Sequence, residues 1–447
     1  MVLLIALPIM AQNVVANLVG LLDNIMVGQL GTEQMSGVAI VNQLMMVFNI
    51  CVFGLVSGAS IFSAQFYGQG NHDGVRYTFR FKVISGVVLN IIWLLIFGIF
   101  GENLIALYLK DDGTSDLMLT QSSGMSYLHI MMIGLVLFTI SQIYASTLRE
   151  IGQTMVPMVS GIIAVFINLI LNYILIFGHF GAPKMGIEGA AWATIVSRVA
   201  EALIVIIWTH SHGKEYHFIR GAYRSVKIPL SLVGQITKKG TPLLINEALW
   251  AVGQATLVQC YSTRGLNVVA AINISGTVAN LFNVVFISLG SAIGIIVGQL
   301  LGAGKTEEAV DTDRKIIFFA EICCLGIGTL MFFVAPQFTH LYNTTDEVRT
   351  LAGNLIRISS VLMPIHSFYH ASYFTLRTGG KTVITFLFDS FYLTVVNVPL
   401  AFCLSRFTAL PVLVLYILVN GAELFKVIVG YVLIKKRVWV NNLVSEL

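Results

Sequence analysis

One set of polar residues stands out because its members lie inside long apolar stretches of the first half of the chain. An aspartate, two asparagines spaced four residues apart and a threonine fall at a similar predicted depth on three such stretches. Oxygen atoms of these types can coordinate a small cation, and a carboxylate removed from water can instead carry a proton. The alternative is that the amides only join helices and the acid caps a loop. The predicted cation-coupling site consists of Asp23, Asn168, Asn172 and Thr194.

A second set lies in the other half of the chain and has different chemistry. Its acid lies about six residues into the seventh apolar stretch, and a glutamine follows on the same helical face. Two histidines and an aspartate lie near the ends of neighbouring stretches. A His–Asp contact there can relay protons. A His-x-x-x-His pair can also ligate a metal, but no motif supplies a third protein ligand, so we predict no metal and no cofactor. The predicted second-lobe cavity consists of Glu247, Gln254, His366, His370 and Asp389.

The composition shows why these polar residues need an explanation. Of the 447 residues, 56% are hydrophobic and only 11% are charged, whereas a soluble domain has about 25% charged residues. We therefore predict an integral membrane protein built from helices of about 20 residues each. An ionisable group inside such a helix costs at least about 2.5 kcal/mol on insertion scales, so each one needs a partner or a function.

Twelve apolar runs, separated by turn-forming residues, predict twelve transmembrane helices. The loops after even-numbered runs and the C-terminus hold eighteen Lys and Arg residues, and the other loops hold five. Because cationic loops tend to stay in the cytoplasm, we predict that both termini and position 214 are cytoplasmic and that position 113 is external. Membrane orientation thus accounts for the net charge of +4, and no basic run indicates a nucleic-acid partner. The runs lie near 3–27, 35–63, 83–109, 125–146, 155–177, 190–208, 242–261, 268–297, 316–341, 352–374, 383–404 and 412–434.

The two halves of the sequence are copies of each other. An offset of 234 residues aligns Gln65 with Gln299, and the pattern TLRxxGxT begins at Thr147 and again at Thr375. Because six runs separate equivalent positions, both halves enter the membrane in the same direction, which predicts two six-helix lobes related by a pseudo-twofold axis along the membrane normal. The predicted domains are an N-terminal lobe at 1–208, a cytoplasmic connector with an interfacial helix at 209–241, and a C-terminal lobe at 242–447.

Two other charged pairs inside apolar runs have a simpler interpretation. Arg198 and Glu201, and likewise Glu423 and Lys426, are spaced three residues apart, so each pair can neutralise itself on one helix face. We predict structural ion pairs at both places.

Four motifs stand out: LLDNIMVGQLG at 21–31, the repeated TLRxxGxT, Asn168-x-x-x-Asn172, and the stretch from Gly186-x-x-Gly189-Ala190-Ala191 to Ala193-Thr194. Together they resemble those of the multidrug and toxic compound extrusion (MATE) family, bacterial type, and the resemblance extends over essentially the whole chain. It implies two six-helix lobes that form an outward-opening V. It also implies alternating-access export of cationic, amphipathic compounds, driven by inward movement of Na⁺ or H⁺.

The same resemblance bears on the candidate sites. The family's first-lobe site uses an Asp on helix one and Asn or Asp and Thr positions on helices five and six, which Asp23, Asn168, Asn172 and Thr194 match. Many members use an acid on helix seven in the second lobe, which Glu247 matches. A further acid expected on helix ten is absent from this sequence, where His366 and His370 occupy the neighbourhood.

We therefore expect a monomeric secondary transporter in the cell inner membrane, with small-molecule substrates and Na⁺ or H⁺ as the coupling ion. The alternative is a lipid-linked precursor flippase or another carrier of the wider superfamily, although the spans carry few unpaired cations. A membrane-embedded enzyme is the least favoured interpretation, because no zinc, serine or paired-aspartate constellation stands out.

Overall fold

The computed structural model shows an almost entirely helical protein. It describes residues 2–109, 116–342 and 344–445, without the side chains of residues 21, 24, 25 and 266. Position 113, predicted to be external, lies outside the described residues. Ten of the described helices are long and apolar enough to cross a membrane. The predicted all-helical, multi-pass membrane architecture is therefore confirmed.

Twelve long helices follow one another along the described chain, and each overlaps one predicted apolar run. The first six are α1 (Val2–Gly28), α2 (Thr32–Gly68), α3 (His72–Ala106), α4 (Leu117–Glu150), α5 (Met155–Phe177) and α6 (Gly186–Ser211). The last six are α7 (Leu230–Ser262), α8 (Leu266–Gly302), α9 (Thr306–His340), α10 (Asp346–Thr378), α11 (Thr382–Phe407) and α12 (Val412–Lys435). Of these twelve helices, α7 and α10 are not among the ten that are long and apolar enough to cross a membrane. Both carry charged residues along their length.

The repeated TLRxxGxT motif ends α4 and α10 with the same local structure. Gly152 has a φ of +86° and Gly380 a φ of +70°, a left-handed conformation that glycine adopts without steric cost. After each glycine, one backbone N–H returns to the helix, from Gln153 to the Leu148 carbonyl and from Lys381 to the Leu376 carbonyl. The sequence copies are thus also copies in backbone conformation.

Helices α11 and α12 depart from regular α-helical geometry. Helix α11 contains two π-helical stretches, Leu387–Phe391 and Leu393–Asn397. Helix α12 consists of two segments, Val412–Gly421 and Leu424–Lys435, with an interruption between them. Such irregularities often mark functional positions in membrane helices.

The chain divides into two compact units. One comprises residues 11–63 and 71–233, with α6 packed against α4 and α5, and we call it the α6 unit. The other comprises residues 1–10, 64–70 and 234–447, with α10 packed against α8 and α9, and we call it the α10 unit. In the run Pro229 to Ile236, predicted as an interfacial helix of the connector, residues 230–236 form the first turns of α7, and Pro229 directly precedes that helix.

Candidate functional site

In the α6 unit, the structure brings together all four residues of the predicted cation-coupling site. The Asn172 Nδ2 donates to Asp23 Oδ1 at 2.6 Å and to Asn168 Oδ1 at 3.2 Å. The Asn168 Nδ2 in turn donates to Thr194 Oγ1 at 3.2 Å. These residues form a continuous hydrogen-bonded chain across α1, α5 and α6, which we call the Asp23 cluster.

Helix geometry explains how the cluster is positioned. Asn168 and Asn172 are four residues apart on α5, so they share one face, and both are buried. Helix α6 lies close to α5 because Gly189 has no side chain: a Cβ there would lie 2.7 Å from the carbonyl group of Leu175. Small residues at such crossings let transmembrane backbones approach closely. Thr194, five residues further along α6, is thereby brought within hydrogen-bonding reach of α5.

The surroundings of Asp23 include charged and polar groups that the sequence prediction missed. The Tyr127 hydroxyl on α4 interacts electrostatically with both Asp23 and Arg198. The Arg198 guanidinium lies 4.6 Å from the centre of the Phe138 ring, so its charge is partly stabilised by a cation–π interaction. Nothing in the spacing of Tyr127 along the sequence distinguishes it from the many tyrosines that only pack. A carboxylate, two amides and a hydroxyl at these distances can hold a proton or a small hard cation.

In the α10 unit, five polar residues from four helices form a buried network, which we call the Asp389 network. The Asn246 Nδ2 donates to Asp389 Oδ2 at 3.0 Å. The Lys426 Nζ lies 3.7 Å from Asp389 Oδ1 and 3.7 Å from Glu423 Oε1. The His366 Nε2 lies 3.2 Å from Glu423 Oε2. Lys426 and Asn246 are only 2% and 1% exposed, so the network is largely removed from water.

The partners of the two histidines differ from the prediction. The expected His–Asp contact does not form among the described residues, because the carboxylate beside His366 is that of Glu423 and the cation beside Asp389 is Lys426. His370 stacks between Phe286 and Tyr369, with ring centroids 4.9 Å and 4.6 Å away. The predicted Glu423–Lys426 pair is present, but both residues also contact other helices. It is therefore part of a wider network and not an isolated pair.

The other two predicted cavity residues lie on α7. Glu247 accepts a hydrogen bond from Tyr373 and interacts electrostatically with Arg377 and Asp389, so it joins the edge of the network. Gln254 is half-buried and seven residues further along, about 10 Å along the helix axis. Within the described residues it forms no hydrogen bond to the network. The structure thus brings Glu247, His366 and Asp389 together and leaves Gln254 apart.

The irregular parts of α11 and α12 coincide with this network. The backbone N–H of Ser390, inside a π-helical stretch, donates to Asn246 Oδ1 at 3.2 Å, and the Ser390 hydroxyl donates to the Asn246 carbonyl at 2.6 Å. At the interruption of α12, the Tyr392 hydroxyl donates to the Ala422 carbonyl at 2.7 Å. Polar side chains therefore satisfy backbone groups that a regular helix would pair internally, as buried membrane segments require.

The described residues contain no group of three His, Cys, Asp or Glu side chains arranged as metal ligands.

With this geometry established, comparison with known proteins identifies the class of protein. The sequence model of the MatE family matches residues 8–174 and 242–403. The chain therefore belongs to the MATE family of multidrug efflux transporters, which are cation antiporters and not enzymes. The family couples transport to Na⁺ or H⁺. The predictions of the family, of a transporter and of the absence of enzyme activity are confirmed.

Bacterial relatives match almost the whole chain. It is similar to the probable multidrug resistance protein YoeA of Bacillus subtilis (strain 168), with 26% identity over 92% of this chain and 88% of that protein. It is also similar to the probable multidrug resistance protein NorM of Thermotoga maritima, with 25% identity over 92% of this chain and 86% of that protein. Both relatives thus align with both halves of the chain.

Solved structures share the fold. An outward-facing MATE family transporter of the MOP superfamily matches with a TM-score of 0.87 and 19% identity, covering 98% of this chain and 94% of that one. A MOP superfamily transporter from Pyrococcus furiosus, described as having a binding pocket of reversed polarity, matches with a TM-score of 0.83 and 20% identity, covering 98% and 95%. At these identities the comparison supports the helical membrane fold alone.

Proposed function

We propose that this protein exports cationic, amphipathic small molecules across the cytoplasmic membrane in exchange for a cation, Na⁺ or H⁺, that binds at the Asp23 cluster. The observation that carries the proposal is the continuous hydrogen-bonded chain from Asp23 through Asn172 and Asn168 to Thr194. It places one carboxylate among three neutral oxygen-bearing side chains, a donor set suited to either ion. The protein acts as a monomer, with lobes at 1–208 and 242–447 and both termini in the cytoplasm.

The contact between Asp23 and Asn172 gives cation binding a physical consequence. An amide donating to an ionised carboxylate forms a charge-assisted hydrogen bond, which is stronger than a neutral one. A proton on Asp23 removes the charge that strengthens this bond, and a bound Na⁺ competes with the amide for the carboxylate oxygen. Cation binding therefore weakens the link between α1 and α5, and an empty site restores it. Such differential stabilisation is what lets an ion shift a conformational equilibrium.

Glu247 supplies a second function in the α10 unit. Lys426 lies between the carboxylates of Asp389 and Glu423, so the positive charge inside the network already has two partners. Glu247 is only partly buried and lies at the network's edge beside Tyr373. We propose that its carboxylate, which also interacts electrostatically with Arg377, attracts the positive charge of a substrate.

Reconstitution tests the proposal directly. The purified protein is placed in liposomes, and the movement of a fluorescent monovalent cation is followed after a Na⁺ or a H⁺ gradient is imposed. We expect dye to move against its own gradient with one of the two ions and to stop when an ionophore dissipates that ion's gradient. Dye movement that is equally fast without any ion gradient would indicate a passive pathway and would contradict the proposal.

A further inference from the structure

Two adjoining cavities lie in the α6 unit, apart from the Asp23 cluster. The larger, of about 570 Å³, lies between the end of α6 and the connector that follows it, and its lining includes Lys214, Arg220 and Arg224. The smaller, of about 370 Å³, is lined almost entirely by apolar side chains of α3, α4 and α6. One cavity is therefore cationic and the other apolar.

The two cavities meet at a polar junction. Tyr223 of the connector lines both of them. Its hydroxyl lies 2.5 Å from the hydroxyl of Tyr144, which in turn lies 3.1 Å from Nε2 of His210. Tyr144 belongs to the lining of the apolar cavity and His210 to that of the cationic cavity. The hydrogen-bonded group of Tyr223, Tyr144 and His210 is thus a wall common to both cavities, and a molecule lying across the exposed Tyr223 contacts both.

The cationic cavity is a built feature of the fold. The Arg80 side chain on α3 donates to the carbonyls of Ala222 at 2.7 Å and Gly221 at 2.8 Å, which fixes the connector against α3. The side chains of Lys214, Arg220 and Arg224 are exposed. Within the part of the chain that the structure describes, none of these three forms an ion pair. Three positive charges at one opening favour an anionic group.

The apolar cavity has the dimensions of one membrane leaflet. Along α3 its lining runs from Val83 to Leu94, a length of about 16 Å at about 1.5 Å per residue. The hydrocarbon core of a bilayer is about 30 Å thick, so this length corresponds to roughly half of it. Val87 and Ile91, in the middle of the lining, are 54% and 53% exposed, so the cavity is open to the surrounding hydrocarbon.

We propose that these cavities form a binding site for one anionic phospholipid of the leaflet on the connector side. The phosphate lies among Lys214, Arg220 and Arg224, the glycerol region lies at the Tyr144–Tyr223 junction, and an acyl chain fills the apolar cavity. The bound lipid joins the connector to α3, α4 and α6. This site is separate from the Asp23 cluster. The test of lipid binding therefore does not depend on whether the proposed transport function is correct.

The test measures lipid binding to the full-length protein after it has been purified and stripped of lipid in detergent. Native mass spectrometry follows titrations with phosphatidylglycerol, with phosphatidylcholine of the same acyl chains, and with glycerol 3-phosphate. We expect one phosphatidylglycerol to bind more tightly than phosphatidylcholine and expect no binding of glycerol 3-phosphate. Replacing Lys214, Arg220 and Arg224 by alanine should weaken phosphatidylglycerol binding by roughly fivefold for each cation removed.

Matched variants separate the proposed site from general effects. Lys305 and Lys315 are exposed cations of the other unit, and replacing both by alanine should leave lipid binding unchanged. Val87→Trp fills the apolar cavity and should weaken phosphatidylglycerol binding, whereas Val88→Trp, equally exposed on α3 but outside the lining, should not. Comparing phosphatidylglycerol binding by Val87→Trp and Val88→Trp tests the proposed site even if the triple variant does not fold.

Three results would overturn the proposal. One is unchanged phosphatidylglycerol binding in the triple variant or in Val87→Trp. Another is equal affinity for phosphatidylcholine, which would remove the role of the cations. The third is binding of glycerol 3-phosphate as tight as that of phosphatidylglycerol, which would indicate a site for free phosphate without an acyl chain.

Discussion

At the scale of single residues, the Asp23 cluster and the Asp389 network are both held together by contacts between side chains of different helices. The sequence predicts that Asp23, Asn168, Asn172 and Thr194 lie at one depth from the direction of their helices, and that the two asparagines share a face from their i,i+4 spacing. The structure brings the four together. The functional role assigned to them stays a prediction. In the α10 unit, Asn246 and Lys426 were missed as members of the network, since their partners lie on other helices and spacing along one helix cannot reveal such contacts.

Glu247 offers a test of charge at the edge of the network. Two opposite charges about 4 Å apart, at an effective dielectric of about 20, attract by about 4 kcal/mol before the cost of desolvation is subtracted. Glu247→Gln should therefore weaken the binding of a cationic compound several-fold more than that of a neutral one, and Glu247→Asp should partly restore it. Binding measured on folded, purified variants checks this, and equal losses for both compounds would refute the electrostatic role.

Lys426 provides a second residue-scale prediction, about stability. Its removal would leave the carboxylates of Asp389 and Glu423 buried without their shared cation. Lys426→Met should therefore lower stability by about 3–5 kcal/mol, as is typical for breaking a buried ion pair. Thermal unfolding in detergent measures the change. Lys435→Met, on the same helix but exposed, is the matched control, and equal unfolding temperatures for the two variants would show that the network is not stabilising.

At the scale of elements, hydropathy predicted the helices but not all their boundaries or irregularities. Helix α7 begins at Leu230 although its apolar run begins near 242, because Lys238 and Lys239 interrupt the hydropathy without breaking the backbone hydrogen bonding. The π-helical stretches of α11 could not be predicted either. Each π-helical stretch changes the number of residues per turn. The direction of the Asp389 side chain therefore does not follow from the regular period of 3.6 residues.

Within the α10 unit, the ends of α2 and α8 approach each other through equivalent glycines of the two repeats. A Cβ on Gly68 would lie 1.9 Å from the Gln299 carbonyl oxygen, and one on Gly302 would lie 1.8 Å from that of Gln65. Gly302→Ala should therefore force the two backbones apart and cost about 1–3 kcal/mol. Gly276→Ala, in the same helix with nothing within 4 Å of the added atom, should cost far less. We expect Gly302→Ala to unfold at a lower temperature than Gly276→Ala. Equal unfolding temperatures for the two variants would refute the prediction.

At the scale of the whole molecule, the twelve apolar runs predict twelve successive helices, and twelve long helices are present within the residues that the structure describes. Membrane orientation rests on the distribution of Lys and Arg alone. What the sequence could not provide is the identity of the substrate, because an adaptable apolar cavity is defined by packing and not by a motif.

The orientation can be tested by cysteine labelling in intact cells. The background lacks the five native cysteines, Cys51, Cys260, Cys323, Cys324 and Cys403. A single cysteine in place of Lys214, in the connector, should react only after the cells are permeabilised. One in place of Lys184, in the exposed loop between α5 and α6, should react with an impermeant reagent from outside. The reverse pattern of labelling would show that both termini are external.

Asp23 is the proposed binding residue for the coupling ion, and gradient-driven transport by Asp23→Asn measures whether it has this role. This substitution removes the ionisable charge while nearly preserving the shape of the side chain. The variant and the wild type are compared in liposomes under the same imposed ion gradient, with Asp116→Asn, which alters an exposed helix cap on α4, as the control. We predict that Asp23→Asn folds and binds the dye but transports it no faster than empty liposomes, while Asp116→Asn transports at the wild-type rate. Transport by Asp23→Asn at the wild-type rate would show that Asp23 does not bind the coupling ion.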